Sequence, residues 1–331
     1  MNVRQLKEYF MRGAVMVVQI TPFRYPDEKL DLDGLRQNTE FLIEATKGGP
    51  IILTPAGSTG EFYSLTDEEY KQVVNTVVEV ARGKLPIVAG ASGAGTKATL
   101  ERVKYAEDLG VDGVMVVLPF YFVPTEEGLY LHYKRILEST SIGVVIYNNP
   151  DVSKIYMRPS VVSRLANEYD NLVAVKENTP DIATLYEQVK RNGNVVPILQ
   201  GRGEVWYALT AHLGIKGFVS PYANFMPDFC IELLNYGINK QYEKLWRMLD
   251  RLEPYEEFVR SLKNKYGAST TILPPPYADY YMVYTVIKVT MDLIGLKGGS
   301  VRLPLINLDD DDKRRLEDII FAKLGLKKIR E

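Results

Sequence analysis

Only one cysteine, Cys230, and two histidines, His132 and His212, occur among 331 residues. A single thiol excludes an intramolecular disulfide and a cysteine cage for a metal, and two histidines argue against a histidine-rich zinc site. Both histidines fall in stretches patterned as helices and read as ordinary helix residues. Neither sign of charge is in excess. Forty Lys and Arg stand against 42 Asp and Glu, a net charge of −2. That balance gives no electrostatic ground for nucleic acid or an anionic membrane as partner. Long hydrophobic runs are missing too. Stretches such as 142–147 are far too short to span a bilayer, and the N-terminal MNVRQLKEYFMRG has no apolar signal-peptide core, so a cytoplasmic protein is expected.

What is present is an ordinary globular composition, 46% hydrophobic and 25% charged, in a chain long enough for a large core. Eight short, β-branched apolar runs recur at 14–20, 50–54, 85–90, 111–118, 143–147, 172–176, 195–200 and 215–220. Helical patterns separate them. In 65–83, Thr66 is a good N-cap, Glu69 completes a capping box and Gly83 supplies a stop; 96–110 ends in Gly110. Continuous apolar strands alternating with helices mean parallel strands buried on both faces. Eight such units predict a closed (β/α)₈ TIM barrel, with an open doubly wound sheet as the runner-up. The barrel is expected over 1–236 and a C-terminal helical extension over 237–331, with helices near 239–266, 277–296 and 312–324. Pro274–Pro276 would break the first from the second, and the Asp309–Asp312 run reads as an exposed acidic helix start rather than a metal site.

In such barrels the chemistry gathers at the C-terminal ends of the strands. Strand 2 leads into Gly57, Ser58, Thr59, Gly60 and Glu61, small and hydroxylated residues suited to a carboxylate or phosphate nest. Strand 4 leads to Tyr121, and strand 5 ends on Tyr147, Asn148, Asn149 and Pro150. Strand 6 ends on Lys176. Strand 7 leads to Arg202 and Glu204, and strand 8 to Ser220 and Tyr222. A lysine buried at a strand end escapes the cost of its charge by losing the proton, and a neutral lysine is a nucleophile. Condensed with a carbonyl it becomes an iminium, an electron sink that needs neither metal nor dissociable cofactor, and Tyr147 offers a phenol to move the proton. GASGAGTKAT (90–99) looks like a phosphate loop, but Lys97 is out of place for one, so a tight strand-to-helix turn is expected.

TPF (21–23), GSTGE (57–61), PFY (119–121), YNNP (147–150), Lys176 and GFVSPYAN (217–224) together resemble the class I lyases typified by dihydrodipicolinate synthase and N-acetylneuraminate lyase. GEFYSLTDEEY (60–70) and LIGLKGGSVRLPL (293–305) are similar to 5-dehydro-4-deoxyglucarate dehydratases within that superfamily. The resemblance implies that Lys176 forms a Schiff base with a 2-oxo acid, that Tyr147 shuttles protons, and that Ser58 and Thr59, with Gly57, hold the substrate carboxylate. It implies that Tyr121 reaches into a neighbouring subunit's site, hence a homodimer or homotetramer. Arg202, Glu204 and Ser220 fall where relatives choose the distal part of the substrate. In the synthases of this family an arginine follows the YN-x-P motif; the corresponding residue here is Val152, with Lys154 two positions on. The expectation is therefore an aldolase or dehydratase for a 2-keto-3-deoxy sugar acid. Dihydrodipicolinate synthase is the first alternative, and an inactive barrel that binds a small acid is the alternative of another class.

Overall fold

The computed structural model describes residues 1–266 and 284–329. Eight strands occur in the predicted order: β1 (Ala14–Val18), β2 (Ile51–Thr54), β3 (Val88–Gly90), β4 (Gly113–Val117), β5 (Gly143–Asn148), β6 (Leu172–Glu177), β7 (Ile198–Gln200) and β8 (Gly217–Ser220). They pair in parallel in the order β2-β1-β8-β7-β6-β5-β4-β3. A parallel bridge between Leu53 and Ile87 brings the two ends of this sheet together, so the fold is a (β/α)₈ barrel and not an open doubly wound sheet. Five strands, β2, β3, β4, β7 and β8, start one to three residues later than the apolar runs suggest, and proline contributes at three of them. Pro50, Pro86 and Pro197 precede β2, β3 and β7 and accept ladder hydrogen bonds through their carbonyls from Val15, Leu53 and Val175, but have no N–H to give.

The helices are α1 (Val3–Arg12), α2 (Leu32–Thr46), α3 (Asp67–Ala81), α4 (Thr96–Leu109), α5 (Glu126–Ser139), the single turn α6 (Pro150–Ser153), α7 (Pro159–Glu168), α8 (Ile182–Asn192), α9 (Gly203–Thr210) and α10 (Pro227–Ile238). Local chemistry sets their ends. Thr66 and Glu69 form the expected capping box on α3, and Gly110 ends α4 at φ +78°. Gly95 caps α4 directly after the 90–95 turn, so GASGAGTKAT is a strand-to-helix turn. His132 lies in α5, where burial pushes its imidazole down to about 4, and His212 sits in a 3₁₀ turn.

Because side chains alternate across a strand, each strand feeds two cores. Val15, Val17, Val114, Val116, Val144 and Ile146 face the helices, while Met16, Val18, Met115, Val117, Val145 and Leu199 fill the barrel. Helix α1 closes the floor of the barrel with Leu6 and Phe10, both fully buried in the inner core. Leu6 lies over Gly113 and Gly143, the first residues of β4 and β5; a Cβ there would stand 3.0 and 2.8 Å from its Cδ2.

The chain then runs through α11 (Tyr242–Ser261), α12 (Lys263–Tyr266), α13 (Tyr284–Leu293) and α14 (Asp310–Asp318), which continues as a π-helical turn over Ile319–Lys323. These match the expected C-terminal helices where residues are described; Pro274–Pro276 lie outside the described residues. Asp309 caps α14 as the acidic run predicted, but Asp312 is buried rather than exposed, paired with Lys265 at 2.7 Å and Arg315 at 2.8 Å.

Candidate active site

Residue alternation decides which polar side chains enter the barrel. On β6, Val175 faces the helices, so Lys176 turns inward and Glu177 outward. Register does the rest: Tyr147 on β5 pairs with Lys176, and Asn148 with Glu177. The Lys176 Nζ stands 3.6 Å from the centre of the Tyr147 ring, and both residues are buried. Loss of solvation pushes the ammonium down from the ordinary lysine value, partly opposed by Tyr147. The Tyr147 phenol oxygen accepts a hydrogen bond from Asn149 Nδ2 at 2.7 Å, which leaves the phenol hydrogen free to point elsewhere.

The outward residues form a separate buried network. The Glu177 carboxylate accepts from Asn148 Nδ2 at 2.9 Å, Tyr156 Oη at 3.2 Å and Thr179 N at 2.8 Å. Burial outweighs these bonds and pushes the carboxyl up to about 8. Asn148 also ties β5 to Met157 through two hydrogen bonds, so the network holds the ends of β5 and β6 in register.

The turn after β2 is closed by Glu61 N donating to Ser58 O at 3.0 Å and Phe62 N to Gly57 O at 3.3 Å. A Cβ on Gly57 would lie 2.6 Å from Val18 Cγ1, and one on Gly60 2.6 Å from Gln19 O, so both glycines are needed for the turn to lie against the barrel mouth. Ser58 and Thr59 are buried there. Glu61, at φ +54°, is anchored from below by Lys288 of α13, a fully buried ion pair of 2.5 Å.

A cavity of about 290 Å³ joins these elements. Thr59, Tyr147, Lys176, Arg202 and Glu204 line it. Arg202 is buried and donates to Asp151 Oδ2 at 2.6 Å and Asn178 O at 2.8 Å, so its ion-pair partner is Asp151 rather than Glu204. Glu204 accepts a hydrogen bond from Ser220 Oγ, and burial pushes its carboxyl up to about 7. Ser220 thus stands behind Glu204. Tyr121 stands apart: it is 73% exposed, beside the exposed Phe122 and Val123. Asp151, Glu256 and Lys288 were missed from sequence and are known only through contacts across the fold, whereas Asn149 was placed at the end of strand 5, within YNNP, without a role.

A parallel barrel with a desolvated lysine at the end of β6, a phenol beside it and a cavity opening above is the architecture of a class I aldolase-type lyase. Comparison with known proteins places the chain within that class. It belongs to the dihydrodipicolinate synthetase family, whose sequence model matches residues 11–323. It is 34% identical over 318 residues to 4-hydroxy-tetrahydrodipicolinate synthase of Methanococcus maripaludis, covering 96% of this chain and all of that one. The corresponding synthase of Methanocaldococcus jannaschii is 33% identical over 307 residues, 93% of this chain and 96% of the relative. The crystal structure of dihydrodipicolinate synthase from Aquifex aeolicus superposes with a TM-score of 0.81 at 27% identity, covering 96% of this chain and 100% of that one.

Proposed function

We propose that the chain is a Schiff-base lyase that uses Lys176 to activate a 2-oxo acid, with a 2-keto-3-deoxy sugar acid as the substrate class because Val152 stands where the synthases carry an arginine. The observation that carries this reading is the Lys176 amine, desolvated, packed against Tyr147 and facing the cavity. The unprotonated amine attacks the C2 carbonyl, and loss of water from the carbinolamine leaves an iminium. Ser58 and Thr59 hold the substrate carboxylate at the turn whose shape Gly57 permits. Cleavage of the C3–C4 bond then releases an aldehyde and leaves an enamine on Lys176; loss of the C4 hydroxyl as water is the dehydratase course through the same imine. Tyr147, oriented by Asn149, moves the proton in either course. Arg202, Glu204 and Ser220 shape the distal end.

A second reading, 4-hydroxy-tetrahydrodipicolinate synthase, is supported by the relatives' names and by Arg202, a cation at the cavity wall that could receive a second carboxylate in place of the arginine replaced by Val152. The test is a screen of 2-oxo acids that follows pyruvate release and water loss, alongside pyruvate plus aspartate semialdehyde. Turnover of a hydroxylated 2-oxo acid well above the condensation supports the first reading; efficient condensation alone replaces it with the second. We further propose that Tyr121, Phe122 and Val123 are covered by a second copy of the chain in a homodimer or homotetramer, since three adjacent exposed apolar side chains are costly to leave in water.

A further inference from the structure

The cavity above Lys176 does not stop at the barrel rim. It continues to a far wall supplied by α11 and α13, where Tyr255, Glu256, Val259 and Tyr284 contribute lining. This wall lies 79 to 108 residues beyond Lys176 in the chain, in the helical region after the barrel strands. Its polar end is built by Glu256 and Tyr222. Tyr222 Oη donates to Glu256 Oε1 at 2.7 Å, and its ring packs edge-on against Tyr255 at 5.2 Å. Glu204 completes the same end.

The charges there choose a ligand class. Glu204 and Glu256 both face the cavity, and burial raises the carboxyl of each. The two arginines of the lining are each committed to another carboxylate, Arg202 to Asp151 and Arg260 to Glu253 at 2.5 Å, and the Arg260 charge opposes only part of the rise at Glu256. Carboxylates over a half-enclosed cavity repel an anionic distal group, while a neutral hydroxylated chain can donate to a carboxylate and accept from a protonated carboxyl. A cavity of this size also exceeds what a three-carbon acid fills.

We propose that Glu256, oriented by Tyr222, is a specificity-determining residue that binds hydroxyl groups on the distal carbons of the 2-oxo acid, so that helix α11 forms the far wall of the substrate site. This inference rests on the reading of Lys176 as the imine-forming residue. The two can fail separately, because pyruvate reaches only the Lys176 end.

Wild type, Glu256→Gln, Glu256→Ala and Tyr222→Phe are compared with two probes. Borohydride trapping of pyruvate reports the imine, and the KM for a six-carbon 2-keto-3-deoxy sugar acid reports the far wall. Pyruvate trapping should be unchanged in all three variants. The KM for the sugar acid should rise by roughly tenfold or more in Glu256→Ala, the loss expected for a hydrogen bond to a charged group, and less in Glu256→Gln and Tyr222→Phe. An unchanged KM in Glu256→Ala overturns the proposal. So does an equal loss of trapping and of sugar-acid turnover, which would mark a structural role, or a wild-type enzyme that traps pyruvate yet turns over no hydroxylated acid. If wild type traps no pyruvate, the reading of Lys176 falls first.

Discussion

In the proposed mechanism a buried amine and a phenol carry the chemistry at the scale of single residues, with buried carboxyl networks packed around them. Tyr147 touches the amine directly and is itself held by Asn149. Tyr147→Phe should still trap pyruvate, more slowly, while kcat falls by about 10²–10⁴, the usual worth of a positioned acid–base group. Retained turnover in that variant would remove Tyr147 from the proton path. Glu177 offers a test by pH. Its folded-state carboxyl titrates near 8, above its ordinary value of 4.5, so the folded protein holds a proton that the unfolded chain has lost. Its contribution to stability is therefore full below about pH 4.5 and is lost as pH rises towards 8, with a slope of up to ~1.4 kcal/mol per pH unit for one proton. Glu177→Gln should flatten that part of the stability–pH curve in urea titrations. An unchanged curve would show that the three donated hydrogen bonds keep Glu177 ionised. The placement of Lys176, Tyr147, Ser58 and Thr59 at the mouth of the barrel was legible from sequence because each lies at or just after a strand end that periodicity locates. Glu256 was not, since nothing local distinguishes it from other glutamates on an amphipathic helix.

Elements are positioned by the strand register and by ties from the C-terminal segment. Lys288 on α13 reaches Glu61 at 2.5 Å and Ser300 O at 2.6 Å, with no solvent access to either charge. Arg302 grips the capping carboxylate Glu69 of α3 through both oxygens. These contacts hold the turn after β2 from outside the barrel. Lys288→Met leaves the Glu61 charge buried without its cation, held only by the Arg302 N–H among the described contacts, and should cost about 3–5 kcal/mol in equilibrium unfolding. Adding Glu61→Gln should recover a good part of that loss, because the cost lies chiefly in the abandoned charge. A single variant as stable as wild type would contradict the pairing. The strands were readable from apolar runs to within a few residues; at β2, β3 and β7 the runs took in Pro50, Pro86 and Pro197, which accept ladder hydrogen bonds but cannot donate, and at β4 and β8 they began two residues early. The ion pairs were unreadable, since they join residues more than 200 positions apart.

The whole molecule is a barrel closed by the Leu53–Ile87 bridge, plugged at its floor by α1 and walled above by α11 and α13. Eight regular βα units made the barrel legible, while the docking of the later helices over the cavity depends on contacts that no periodicity encodes. Among the described residues no helix is long and apolar enough to cross a membrane. The exposed Tyr121, Phe122 and Val123 predict self-association: light scattering should give a dimer or tetramer, and Tyr121→Phe should lower turnover while imine trapping persists. A fully active monomer would refute this. The central claim, that the fold delivers an uncharged amine at the end of β6, is tested most directly by incubating the protein with pyruvate and borohydride and locating the adduct by peptide mass spectrometry. One reduced pyruvyl adduct on the peptide carrying Lys176, absent in Lys176→Ala, is the predicted result; labelling at another lysine, or an active Lys176→Ala variant, would contradict it.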